Sequence, residues 1–187
     1  MDHYIDIHLL PDPEFPPNLL MNALFAKLHR GLVENGKNRI GVSFPQHDNK
    51  RPTLGSLLRL HGQATDLEGL MSNNWLAGMR DHASVNDPKP IPTVTAYRRV
   101  YRVQAKSNPE RLRRRYARRH QTNMETARKA IPDDSAEYLQ LPYITLTSHS
   151  TGQRFRLFIA HGPITSTATQ GAFSHYGLSR DGTIPWF

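Results

Sequence analysis

The chain has 187 residues, enough for one ordinary domain or two small ones with a workable core, and its formal net charge of +8 and pI near 10.0 point to a polyanionic partner. The absence of cysteine excludes disulfides, thiolate metal sites and a cysteine nucleophile. No apolar run reaches signal-peptide or membrane-span length, which predicts a soluble protein of the cytoplasm.

In chain order, "HYIDIHLL" alternates Ile5, Ile7 and Leu9 with polar residues, the period of a half-buried strand. Four prolines lead into "NLLMNALFAKLHRGLVENG", where Leu20, Leu24, Leu28 and Leu32 recur at helical spacing and Gly36 is a stop. "RIGVSFP" and "SLLRLHGQ" read as strands, "TDLEGLMSNNWLAGM" as a second helix with Thr65 and Glu68 in capping-box register, and "DHASVN" as a short strand. That order suggests a ferredoxin-like half. The proline-rich "NDPKPIPTV" coincides with a break in charge: residues 1–93 hold 9 Lys and Arg against 10 Asp and Glu, residues 94–187 hold 15 against 6. A boundary near residue 93 follows, giving an N-terminal domain over 1–93 and a basic C-terminal domain over 94–187. The second half reads as a strand in "TAYRRVYRVQAK", an arginine-rich helix, a short helix in "METARKAI", and two strands in "YITLTSHSTGQRFRLFIAHG" that turn at Gly152. The fold class expected is α+β.

The stretch "NPERLRRRYARRHQT" places six arginines in nine positions, from Arg111 to Arg119. Asn108 suits an N-cap, Pro109 the first helical position, and Glu110 the positive end of the dipole. At roughly 100° per residue, Arg111, Arg114, Arg115, Arg118 and Arg119 share one face and Arg113 points away. Glu110 is the only acid between Ser107 and Met124, so carboxylates of that segment cannot neutralise the face. Guanidinium forks match phosphate oxygens, and the helix reads as a nucleic-acid binder. Charge does not decide between DNA and RNA, although so dense a basic helix suits structured RNA better than base reading in a DNA groove. Upstream, Arg98, Arg102, Gln104 and Lys106 alternate with Tyr97, Arg99, Tyr101 and Val103. The first set is either a base-reading strand face or an ordinary exposed one.

Ten histidines show no HExxH, no HxH and no cysteine partner, and the chain has neither a phosphate loop nor an acidic two-metal cluster. Neither metal nor cofactor is expected. If the protein cuts RNA, metal-free chemistry is favoured, in which the ribose 2′-OH attacks with help from a base, an orienting group and a charge stabiliser. His29 lies on the flank of the apolar stripe of the first helix, where a side chain emerges from the core edge into a cleft. Ser148 and Tyr176 have suitable chemistry too, beside ordinary readings as a turn residue and a half-buried packing residue.

The strings "MDHYIDIHLLPDPEFPP", "RIGVSFP", "RVQAKSNPERLRRR", "STGQRFRLFI" and the terminal "PWF" resemble the CRISPR-associated endoribonuclease of type I-F systems, over the whole chain. The resemblance implies an N-terminal ferredoxin-like domain and a distinct basic α/β C-terminal domain carrying the arginine-rich helix. It also implies metal-independent cleavage at the 3′ base of the CRISPR repeat hairpin in precursor crRNA, leaving a 2′,3′-cyclic phosphate. Mature crRNA is then retained, as part of a crRNA-guided surveillance complex. In that scheme His29 is the general base, Ser148 holds the 2′-OH and Tyr176 orients the histidine. Arg102 and Gln104 read bases at the foot of the stem, Phe155 stacks on its closing pair, and Arg115, Arg118 and Arg119 enter the major groove; Arg111 and Arg114 join the RNA-binding set through the shared helical face. Phe155 also alternates with Leu157 and Ile159 on an apolar strand face, so a packing role stands beside stacking. The alternative from another class is a catalytically silent structured-RNA-binding subunit, and a third is a duplex-DNA binder.

Overall fold

Strand β1 (His3–Leu9) forms where the apolar alternation predicts it, with Ile5 and Ile7 wholly buried. Helix α1 (Pro17–Asn35) buries Leu20, Leu24, Leu28 and Leu32, the stripe read from the sequence, and stops at Gly36. There φ is +67°, a left-handed turn that glycine enters without steric cost, and the Gly36 N–H donates to the Leu32 carbonyl at 3.1 Å. The chain continues through β2 (Gly41–Ser43), β3 (Leu57–Gly62), α2 (Ala64–Ser72), β4 (Ala83–Val85) and β5 (Lys89–Pro90). These strands make an antiparallel sheet in the order β2-β3-β1-β4, with β5 also pairing β1. A second antiparallel sheet follows, ordered β7-β8-β6-β9, from β6 (Tyr97–Val103), β7 (Tyr143–Thr147), β8 (Arg154–Thr165) and β9 (Ile184–Pro185). The protein is therefore of mixed α+β class. The computed structural model describes residues 1–93, 96–104, 109–132, 139–148 and 152–187.

Two compact units result. Residues 1–103 with 141–187 form the first, which contains both sheets. Ile5, Leu28, Val42 and Leu60 of its first half belong to the same buried cluster as Val100, Ile144 and Leu157. Asp6, on the opposite face of β1 from Ile5 and Ile7, is also buried. It accepts two hydrogen bonds from Arg59, at 2.6 and 2.9 Å, and Arg59 donates a third to the Phe187 carbonyl at 2.9 Å. Burial of that charge pair is tolerable because the fork of donors is matched by acceptors.

Residues 104–140 form the second unit, built on helices α3 (Pro109–Arg119) and α4 (Met124–Ala130). Asn123 caps α4, its side chain accepting from the Thr126 N–H at 2.9 Å. Asn108, read as the cap of α3, lies outside the described residues. Among the described residues no helix is long and apolar enough to cross a membrane.

Two sequence expectations need correction. The second helix begins at Ala64 and ends at Ser72, not Met79. Its N-cap is Gln63, with no side-chain cap bond, so Thr65 and Glu68 do not form a capping box. Asn73 and Asn74 end it because their short amides compete with the helical backbone, and tight turns follow to Met79. On β6 the polar alternation is interrupted. The register shifts between Arg98 and Val100, and Val100, on the Arg102 side of the strand, is only 3% exposed. The two-residue strands β5 and β9 carry no sequence signal, since each includes a proline.

Candidate active site

Helix α1 forms the floor of a cleft of about 920 Å³ in the first unit. Strand β7 supplies one wall, through Thr145, Leu146, Thr147 and Ser148. The segment after α2 supplies another, through Gly78, Met79 and His82, and Phe155 and Tyr176 also line the cleft. His29, Ser148 and Tyr176, far apart in sequence, thus face one space.

The tautomer of His29 is fixed by its surroundings. Its Nδ1 lies 2.9 Å from the backbone carbonyl of His175, and a carbonyl can only accept, so Nδ1 carries the proton. In the neutral ring Nε2 then holds the free lone pair, as a general base requires. The imidazole stacks on Tyr176 with centroids 4.2 Å apart and planes within 14°, and Tyr176 in turn lies parallel to Phe25 at 6.4 Å. The loop carrying His175 and Tyr176 is pinned at Gly177. Its carbonyl accepts from the Val42 N–H at 2.8 Å, its φ is +67°, and a Cβ there would stand 2.2 Å from a Val42 methyl. Only glycine fits this turn.

Ser148 closes β7. Its N–H donates to the Gln153 carbonyl at 2.9 Å and its carbonyl accepts from Gly152 at 2.8 Å. Strand and helix are tied where the Asn22 side-chain oxygen accepts from the Thr145 N–H at 2.8 Å. A small hollow beside that bond is lined by Asn18, Met21, Tyr143 and Ile144. Earlier residues of the strand therefore meet earlier residues of the helix, and the two run in the same direction.

The other expected contacts are more dispersed. Phe155 is half-buried against the core and lines the cleft, so its packing and its access coexist. Arg102 stands with its guanidinium carbon 6.0 Å from the Phe155 ring centre, and its buried Nε has no hydrogen-bond partner among the described residues. Gln104 is exposed. In the second unit Arg111, Arg114, Arg115, Arg118 and Arg119 are all exposed on α3, whereas Arg113 is 6% exposed and donates from Nε to the Ile131 carbonyl at 2.8 Å. The helical wheel, which sets Arg113 apart from the other five, matches this, and the structure adds that its side is the buried one. Glu110 reaches Arg113 and Arg114 only at 3.8 Å.

Sequence reasoning missed four cleft features. Lys27 is bound to the Ala77 carbonyl at 2.6 Å, Arg30 lies exposed on the floor, and His82 is paired through Nδ1 with Asp12 at 2.9 Å. The fourth is the His175 carbonyl, a backbone group that no sequence pattern marks. Among the described residues no group of three or more His, Asp or Glu side chains is arranged to hold a metal ion.

The family model described as CRISPR-associated protein (Cas_Csy4) matches residues 4–187. A protein of Pseudomonas aeruginosa (strain UCBPP-PA14), named CRISPR-associated endonuclease Cas6/Csy4, is 58% identical over 187 residues, all of both chains. One of Escherichia coli (strain UTI89 / UPEC) with the same name is 44% identical, also over all of both chains. The chain belongs to the Cas_Csy4 family of CRISPR-associated proteins.

Proposed function

We propose that this protein is the precursor crRNA-processing endoribonuclease of a type I-F CRISPR system, cutting at the 3′ base of the repeat hairpin without a metal ion. The observation that carries the reading is the hydrogen bond from His29 Nδ1 to the His175 carbonyl, which makes Nε2 the lone-pair nitrogen of the neutral ring, in a residue that lines one cleft with Ser148 and Tyr176. Names borne by relatives at 58% and 44% identity support the endonuclease class. In this mechanism Nε2 takes the proton of the 2′-OH at the scissile nucleotide, and Ser148 holds that hydroxyl. The 2′-oxygen bonds to phosphorus as the bond from phosphorus to the 5′-oxygen breaks, and the leaving oxygen takes a proton from the imidazolium or from water. The products are a 2′,3′-cyclic phosphate and a free 5′-hydroxyl. Tyr176 restrains the ring by stacking.

The exposed arginines of α3 grip the stem phosphates, Phe155 stacks on the closing pair, and Arg102 and Gln104 read bases at its foot. The buried Nε of Arg102, without a partner among the described residues, supports a ligand contact there. The strand order β2-β3-β1-β4 around two helices supports the ferredoxin-like description of residues 1–93, and the charge break supports treating residues 94–187 as a basic C-terminal domain. The cleaved crRNA stays bound within a surveillance complex, because the stem contacts survive the cut.

Incubating the protein with labelled repeat-hairpin RNA in excess EDTA tests the proposal. A single cut ending in a cyclic phosphate is expected. Tight binding with no cut of the cognate repeat would instead favour the silent RNA-binding subunit.

A further inference from the structure

We propose that Asn22 is a positioning residue of the cleavage reaction: its side-chain hydrogen bond to the Thr145 N–H sets the register between the helix that bears His29 and the strand that bears Ser148. The inference rests on the catalytic reading of those two residues given above.

Strand β7 is an edge strand, with β8 as its one strand partner among the described residues. Every second N–H of such a strand points away from its sheet and needs another acceptor or water. The Thr145 N–H is one of these, and the acceptor it finds is Oδ1 of Asn22 at 2.8 Å. Asparagine is a poor residue for the interior of a helix, yet Asn22 stands half-buried in the second turn of α1 between the buried Met21 and the cleft. Its helical disadvantage is offset by what the amide does across the groove.

The spacing gives the bond its consequence. From Asn22 to His29 the helix advances about 10.5 Å at 1.5 Å per residue. From Thr145 to Ser148 the strand advances about 10 Å at 3.3 Å per residue. The two elements run in the same direction, so fixing Asn22 against Thr145 brings Ser148 level with His29. A slip of β7 along the helix would carry the hydroxyl out of step with the base while leaving the fold and the basic surface in place. Attack by the 2′-OH depends on alignment within about half an ångström.

The test uses Asn22→Leu, which keeps the γ-branched shape but removes the acceptor, and Asn22→Asp, which retains an acceptor oxygen. Single-turnover cleavage of the labelled repeat hairpin is expected to slow at least tenfold in Asn22→Leu with the hairpin Kd within twofold of the parent, and to return to within threefold of the parent rate in Asn22→Asp. Amide exchange at Thr145 is expected to speed up at least tenfold in Asn22→Leu and to stay slow in Asn22→Asp. Where Asn22→Leu does not fold, Asn22→Ala is read by the same two criteria. An unchanged cleavage rate or unchanged Thr145 exchange overturns the proposal, as does parallel loss of rate and affinity without rescue by Asn22→Asp. If the parent protein binds the hairpin but never cuts it, the catalytic reading has failed and the positioning role falls with it. The exchange experiment still shows separately whether the tie between α1 and β7 exists.

Discussion

The cleft over α1 and the arginine face of α3 are built on opposite principles. In the cleft a few groups are each held by specific contacts: His29 by one carbonyl and one stacked ring, Tyr176 by a turn that only Gly177 can make. On α3 five arginines lie exposed on one face, and the buried Arg113 is held by a short bond to the protein, at Ile131. Chemistry needs fixed atoms, whereas attraction to phosphate needs only charge within reach. Single changes in the cleft should therefore act in an all-or-none way, and single changes on the exposed face of α3 should act by degrees.

The largest expected effect is that of His29→Ala, which should slow cleavage by roughly 10² to 10⁴ if the imidazole is the base while leaving hairpin affinity nearly unchanged. Equal losses of rate and affinity in a single-turnover and filter-binding pair would place His29 with the structural residues and erase the contrast. Gly177→Ala should come next. It forces a side chain into a left-handed turn against Val42, so a loss of about 2 kcal/mol or more is expected from strain and overpacking, read as a lower Tm together with slower cutting. A Tm equal to the parent's would show that the loop relaxes freely and does not pin Tyr176.

Acid sharpens the comparison differently, because it acts on the first unit's interior. Burial pushes His61 and His161 from 6.5 down to about 3, with Arg59 adding to the effect at His61 and His47 and Arg98 adding to it at His161. The folded protein holds both rings neutral, while the unfolded chain protonates them near 6.5. Their contribution to stability is thus whole above pH 6.5 and lost as pH falls toward 3, at up to about 1.4 kcal/mol per pH unit for each ring. Thermal unfolding between pH 7 and 4 should show this slope, and His161→Phe should flatten it; an unflattened slope would assign the acid sensitivity elsewhere.

The smallest single effects are expected on α3. Arg115→Ala and Arg118→Ala should each lower affinity by tenfold or less and, combined, reduce the slope of log K against log salt by about one unit per lost phosphate contact. Neither should change Tm. Arg113→Met should do the reverse, destabilising the second unit by about 1–3 kcal/mol through the unpaired Ile131 carbonyl with the salt slope intact. A salt slope that moves with Arg113 and not with Arg115 would invert the assignment of the two faces.

Periodicity and punctuation determined much of this protein before any coordinates. The stripe from Leu20 to Leu32, the stop at Gly36, the alternation of Ile5 and Ile7, and the separation of Arg113 from the other arginines of its helix all follow from local backbone geometry and side-chain chemistry, which neighbouring residues specify. The family strings are of the same kind, being properties of the sequence itself. Where local signals conflicted, the reading erred: Thr65 and Glu68 imitated a capping box, and the alternating arginines of β6 hid a register shift and a buried Val100.

Only the tertiary structure decided what lies opposite what. Residues 29 and 148 meet in one cleft because α1 and β7 lie alongside each other, joined by a bond between Asn22 and Thr145 across 123 positions of sequence, and residue 176 joins them on a loop held at Gly177 against Val42. The tautomer of His29 depends on a backbone carbonyl 146 positions away. Neither leaves a trace in local pattern, because each involves a peptide group of a kind that nearly every residue possesses, the donor at Thr145 and the acceptor at His175, and packing alone selects which one the side chain meets.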